Sequence, residues 1–186
     1  MINQNGKLVL YSGSSGVGKD TILKKLCERD PDVWVSVSNT TRKPRAGEIN
    51  GVHYHFITDE EFEKIIAEGG FLEHAGYCGH YYGTPLGPLN EKLAEGKTVF
   101  LEIEVEGALQ VMKKIPDILS IFIVPPSFEE LERRLRSRGT EDESTIDARL
   151  EKAKEEIGCR SRYTYNVIND DLDKAVQEVY DIIHQD

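Results

Sequence analysis

A short apolar run, Leu8, Val9, Leu10 and Tyr11, leads straight into Ser12-Gly13-Ser14-Ser15-Gly16-Val17-Gly18-Lys19-Asp20-Thr21. Gly13, Gly18 and Lys19 stand at the spacing G-x-x-x-x-G-K of a phosphate-binding loop. Glycines let successive backbone N–H groups turn inward around an anion. The helix that follows adds unpaired N–H groups and the positive end of its dipole. Lys19 adds a mobile charge for outer phosphates. The motif lies between a predicted strand, 8–11, and a predicted helix, 19–28, which is the context it requires.

The rest of the chain repeats that alternation. Apolar strands are predicted at 33–37, 98–103, 119–124 and 166–168. Helices are predicted at 90–94 and 108–114, and after the capping-box spacings Thr58-Asp59-Glu60-Glu61 and Ser127-Phe128-Glu129-Glu130. Another carries Ile146, Leu150, Ala153 and Ile157 at helical spacing, and the last carries Leu172, Ala175, Val176, Val179 and Ile183. Strands alternating with helices imply an α/β fold, a parallel sheet flanked by helices. Residues 38–84 break the rhythm with short strands at 54–57, 71–77 and 80–82, and read as an inserted lobe. In such sheets ligands bind beyond the carboxyl ends of the strands. The loop after the first strand, the 38–48 loop and the acidic 102–106 segment all belong there.

With 186 residues the expectation is one domain. A net charge of −10 argues against nonspecific nucleic-acid binding. It allows small phosphorylated ligands if basic residues gather locally. Cys27, Cys78 and Cys159 have no metal spacing and make no disulfide framework. No signal peptide and no membrane-length apolar run is evident, so a cytoplasmic protein without membrane attachment is expected. His53, His55, His74 and His80 also lack metal-ligand spacing.

Arg42 and Arg45 flank Pro44 in a glycine-containing loop, and two guanidinium forks suit a phosphate monoester. The run from Thr40 through Arg42-Lys43-Pro44-Arg45-Ala46-Gly47-Glu48-Ile49-Asn50-Gly51 to Tyr54 and Ile57 resembles the signature of the guanylate kinases. His80-Tyr81-Tyr82-Gly83-Thr84, Arg138-Gly139-Thr140 and Asn169-Asp170-Asp171 resemble the same family. The likeness extends from Gly6 to the last helix.

That resemblance implies magnesium-dependent transfer of the terminal phosphate of ATP to GMP. It implies a core of 1–37, 85–137 and 150–186, a GMP-binding lobe of 38–84 and a helical lid of 138–149. ATP would lie on Gly13, Ser14, Ser15, Gly16, Val17, Gly18, Lys19, Asp20 and Thr21, with Asn169 near adenine. Arg42, Arg45, Tyr54 and Tyr82 would hold the GMP phosphate. Glu73 would accept from guanine N–H groups, Ser38 and Thr84 would face the guanine carbonyl, and Glu104 would help bind the base. Lys19, Arg42, Arg134, Arg138 and Arg149 would neutralise the migrating phosphate, and Asp20 and Glu102 would serve magnesium. No obligate protein partner is implied.

Two departures stand out. Glu102 and Glu104 replace aspartates usual in the family. Asp20 stands where a phosphate loop ordinarily has Ser or Thr for the metal. Two other readings stay open. Partner-binding relatives usually lose the loop that Gly13, Gly18 and Lys19 preserve here. A kinase for another nucleoside monophosphate would not need the guanine-reading pattern of Glu73, Ser38 and Thr84.

Overall fold

The computed structural model describes residues 5–77, 79–137 and 142–185. Five parallel strands form the main sheet: β1 (Lys7–Gly13), β2 (Val33–Val35), β7 (Thr98–Glu102), β8 (Leu119–Val124) and β9 (Tyr165–Ile168), in the order β2-β7-β1-β8-β9. β1 is central. The chain winds to one side of it and then to the other, which opens a crevice at its carboxyl end.

Strand residues alternate faces with period two. Val9 and Tyr11 pack with Ile22 and Leu26 of α1 (Lys19–Arg29) and Val176 and Val179 of α7 (Leu172–Ile183). Leu10 packs on the opposite face with Leu89 and Leu93 of α3 (Leu86–Ala94) and Val111 of α4 (Val105–Lys114). The helices on both faces and the buried strands are the predicted α/β architecture.

A second sheet holds β3 (Asn39–Thr40), β4 (His55–Phe56), β5 (Phe71–Tyr77) and β6 (His80–Pro85) in the order β4-β3-β6-β5. Helix α2 (Asp59–Ala67) covers it through fully buried Phe62, which meets the rings of Phe71 and Tyr81. The predicted capping box is present: Thr58 Oγ1 accepts the Glu61 N–H, and Glu61 reaches back to the Thr58 N–H. At Ser127 only half of one forms. Ser127 Oγ accepts the Glu130 N–H, but the Glu130 carboxylate is taken by Arg133 and Arg134.

Two helices start earlier than predicted. α3 begins at Leu86 rather than 90, because Pro88 lies in the first turn, where a missing N–H costs nothing. α4 begins at Val105 rather than 108, with Gly107 inside its first turn. Helices α5 (Phe128–Ser137) and α6 (Glu143–Gly158) pack through Leu131, Leu135, Ile146, Leu150 and Ala153. α6 carries Ile146, Leu150, Ala153 and Ile157 on one continuous helix, as their spacing predicts. Among the described residues no helix is long and apolar enough to cross a membrane.

Leu10 is fully buried in the central strand. Leu10→Ala should destabilise the protein by about 2–5 kcal/mol. Urea unfolding should show a lower midpoint at unchanged slope; an unchanged midpoint would contradict this packing.

Candidate active site

β1 ends at Gly13, paired in register with Ile123 of β8. A Cβ on Gly13 would lie 2.5 Å from the Ile123 carbonyl oxygen, so only glycine lets the chain leave the sheet there. Gly16 and Gly18 have φ of 82° and 95°, in the left-handed region. Gly18 is the N-cap of α1 and supplies no side-chain cap, so the first helical turn faces outward with its N–H groups available. Lys19 Nζ folds back over this loop and donates to the carbonyls of Gly13 (2.9 Å) and Ser14 (3.3 Å). Ser14 and Val17 are buried, whereas Asp20 and Thr21 are exposed at the start of α1.

Asn169 follows β9 directly. Its buried amide donates to the Val17 carbonyl at 2.7 Å, so it supports the loop from beneath. Ser15 N–H donates to Glu156 Oε2 of α6 at 2.9 Å. Glu156 was absent from the sequence expectations, although an acid beside the apolar stripe of Ala153 and Ile157 is a legible signal.

Glu102 closes β7 beside Tyr11, across from α1. Its carboxyl hydrogen-bonds the Asp20 side chain and is pushed up to about 8 by burial and by the facing Asp20 charge. Two acids sharing a proton beside Lys19 are a set of hard oxygen donors that a cation would allow to ionise together. Among the described residues no group of three His, Cys, Asp or Glu could hold a metal. Two carboxylates nevertheless fit magnesium, which keeps several waters and takes its other ligands from phosphate.

The second sheet builds the facing wall. Arg42 lies over the rings of Tyr54 and Phe56, and Tyr54 meets Tyr82 edge-on at 5.8 Å. Arg42 donates twice to Glu48, at 2.8 and 2.9 Å, and once to the Lys43 carbonyl. This fork holds the Glu48 carboxyl down at about 2. Glu48 also accepts the Arg45 N–H at 2.6 Å, so it folds the loop that carries both arginines. Arg45 itself is exposed. His53 Nδ1 accepts the Ile49 N–H, a structural use in line with its lack of metal spacing.

Glu73 is buried on β5, at 4% exposure. Its Oε1 accepts the Thr84 hydroxyl at 2.6 Å. A Cβ on Gly107 would come within 2.4 Å of its Oε2, so glycine in the first turn of α4 makes room for the carboxylate. Gly107 was likewise missed by the sequence reading. One stripe of α4 grips β5: Gly107 at Glu73, Gln110 on the His74 carbonyl and Lys114 on the Leu72 carbonyl. The Thr84 proton points at Glu73, so in this structure Thr84 orients the acid. Ser38 precedes β3 and is half-buried. Exposed Glu104 stands at the N-cap position of α4 without a side-chain capping bond, and accepts from Lys152 Nζ of α6 at 2.6 Å.

Of the expected arginines, Arg134 is held by Glu130 on its own helix, and Arg149 lies on α6. Arg138 lies outside the described residues. The structure therefore gathers the glycine loop, Lys19, Asp20, Glu102 and Asn169 at the carboxyl edge of the main sheet. Arg42, Tyr54, Tyr82, Glu73 and Thr84 gather on the second sheet.

Comparison with known proteins decides the family. The guanylate kinase family model matches residues 5–186. The chain belongs to the guanylate kinase family. It is 50% identical over 177 residues to the guanylate kinase of Prochlorococcus marinus subsp. pastoris, covering 95% of this chain and 96% of the relative. It is 51% identical over 182 residues to that of Lactococcus lactis subsp. lactis, covering 98% and 89%. The crystal structure of guanylate kinase from Anaplasma phagocytophilum superposes with a TM-score of 0.78 at 33% identity, over 98% of this chain and 87% of that one. A shikimate kinase from Bacteroides thetaiotaomicron, with a TM-score of 0.51 at 15% identity, shares the fold alone. The guanylate kinase fold expected from the residues is thus the fold observed.

Burial raises Glu73 above the usual carboxylate range, with the Thr84 hydrogen bond opposing. The folded protein then keeps its proton to higher pH than the unfolded chain. The associated stability is present below pH 4.5 and is lost as pH rises through the raised folded value. Glu73→Gln, which stays neutral, should gain stability relative to the parent between pH 4 and pH 8 in thermal melts without nucleotide. A difference independent of pH would contradict the assigned burial effect.

Proposed function

We infer that this chain transfers the terminal phosphate of ATP to GMP, giving ADP and GDP. The observation that carries the reading is the pairing of two walls. A glycine loop with its lysine stands at the end of the main sheet, and a buried carboxylate stands on a separate sheet with an arginine–tyrosine cluster.

In this reading ATP lies on the Gly13–Lys19 loop, with its phosphates drawing N–H groups from the loop and the first turn of α1. Lys19 exchanges its two carbonyl contacts for phosphate oxygens. Arg42 and Arg45, with the hydroxyls of Tyr54 and Tyr82, hold the GMP phosphate, and Glu48 sets the angle of the Arg42 fork. Guanine presents N–H donors beside a carbonyl. Glu73, steadied by Thr84, accepts from the donors, Glu104 assists, and Ser38 faces the carbonyl. Adenine reverses that pattern and would set an acceptor against the Glu73 carboxylate beyond its bond to Thr84, which is the kind of mismatch that discriminates strongly.

The GMP phosphate oxygen attacks the terminal phosphorus, so the protein need form no covalent bond. It orients the two phosphates, excludes water and neutralises charge through Lys19, Arg42, Arg134, Arg138 and Arg149. Asp20 and Glu102 would hold magnesium, which when bound supplies charge neutralisation on the phosphate oxygens. Asn169 keeps the loop in shape near the ATP base. The core of 1–37, 85–137 and 150–186, the GMP-binding lobe of 38–84 and the lid of 138–149 are the proposed division of the chain. A cytoplasmic site of action fits substrates of this kind.

ADP release from ATP should depend on GMP and be negligible with AMP or UMP. Equal rates with AMP would overturn the guanine reading. Lys19→Ala should lower turnover by about a hundredfold or more while melting normally; unchanged turnover would remove the loop from the reaction. Chelation of magnesium should stop turnover. Asp20→Asn should raise the magnesium concentration for half-maximal rate severalfold, and an unchanged requirement would take Asp20 out of the metal site.

A further inference from the structure

Glu156 is an acid buried to 6% exposure in the last turn of α6, with its carboxylate on the glycine loop at Ser15. Ionised acids are rarely buried without a partner, because desolvation of the charge is costly. The partners here are specific. Oε2 accepts the Ser15 N–H at 2.9 Å, and Oε1 lies 3.6 Å from Lys152 Nζ one turn back on α6. Lys152 in turn binds Glu104. Burial raises the Glu156 carboxyl; the Ser15 N–H opposes that shift, the Glu104 charge adds to it, and Lys152 and Lys19 oppose it.

The helix beneath Glu156 is anchored. Ala153 and Ile157, its neighbours on α6, belong to the cluster with Leu131 and Leu135 of α5. Leu135 also occupies the space a Cβ on Gly16 would fill, with Cδ2 2.6 Å from that position. The α5–α6 pair thus touches the loop at two successive residues, by a polar contact at Ser15 and an apolar one at Gly16. Gly16 has left-handed backbone, so the peptide joining it to Ser15 sits at a sharp change of direction. Without an acceptor the Ser15 N–H would lose its partner at that bend, and the loop would gain freedom to turn its other N–H groups away from a phosphate.

We propose that Glu156 is a positioning residue for the phosphate loop: from α6 it holds the Ser15 N–H and thereby fixes the loop in the shape that receives ATP. The carboxylate stays in place when the nucleotide binds, since α6 packs on α5 and Leu135 of α5 rests on the loop at Gly16. Its use is as an acceptor, and Lys152, shared with Glu104, offsets part of its charge. This rests on the reading that ATP lies on the Gly13–Lys19 loop.

The test is titration of ATP and, separately, GMP into the full chain by calorimetry, for the parent, Glu156→Ala, Glu156→Gln and Lys19→Ala. Glu156→Ala should weaken ATP about tenfold and leave GMP within about twofold, a loss of one hydrogen bond to a charged acceptor. Glu156→Gln should stay within about threefold for ATP, because its amide oxygen still accepts from Ser15. Tighter ATP binding in Glu156→Ala would show a plug rather than a support and overturn the proposal. So would equal losses in Glu156→Ala and Glu156→Gln, or equal losses for ATP and GMP. If Lys19→Ala leaves ATP binding unchanged, the loop reading itself fails and the proposal with it; if only Glu156→Ala is silent, the proposal alone fails. Should Glu156→Ala not fold, the Ser15 amide decides by NMR. Slow exchange and a downfield proton that moves upfield in Glu156→Gln are expected, and fast exchange in the parent overturns the proposal.

Discussion

The close approach of Gly13 to the Ile123 carbonyl governs how the rest of the molecule is arranged. A side chain at Gly13 would strike that carbonyl, and after Gly13 the chain leaves the sheet at the point where the strand order reverses. Everything chemical in the core follows from that exit. The loop turns on left-handed glycines and opens α1 without a side-chain cap, and Lys19 returns across it. Glu102 arrives beside it because β7 pairs with β1 in register at Tyr11. Asn169 arrives from the other side because β9 ends next to β8.

A second theme is the use of acids to organise a site for anions. With a net charge of −10, the chain pairs its functional groups with its own carboxylates. Glu48 grips Arg42, Glu130 holds Arg134, Glu104 takes Lys152 and Glu156 takes the Ser15 N–H. The buried or half-buried members of this set have geometric value, since a bidentate fork holds a guanidinium plane at one angle. The exposed members contribute little to stability. Glu104 has one methylene more than the family's usual aspartate, and its carboxylate is bound to Lys152 on α6.

Much of this was legible in the chain. The loop, the strand–helix alternation and the Thr58 cap rest on local rules: glycine spacing, period and side-chain reach to a nearby N–H. The early starts of α3 and α4 were not, because Pro88 punctuates the entry to α3 until the first-turn exemption for proline applies, and Gly107 is a poor helix former whose place opposite Glu73 only the packing shows. The partners of Arg42, Glu73 and Asn169 depend on which strands become neighbours. Thr84 stands across from Glu73 on a paired strand, and its hydroxyl donates to that acid, a contact the sequence does not reveal. Glu156 is 141 residues from Ser15 in the chain, and only the packing of α6 reveals the contact.

The proposed transfer requires two separate cradles, the glycine loop and the arginine–tyrosine cluster, to hold two phosphates head to head. The most direct measurement is the affinity of one molecule carrying adenosine and guanosine at the two ends of a pentaphosphate, compared with ATP and GMP alone. Occupying both cradles at once makes the second contact intramolecular, so its affinity should exceed either nucleotide's by about a hundredfold or more. The gain should vanish in Lys19→Ala and in Arg42→Ala. Binding no tighter than ATP alone would mean that the two walls do not face one another across a single reaction site.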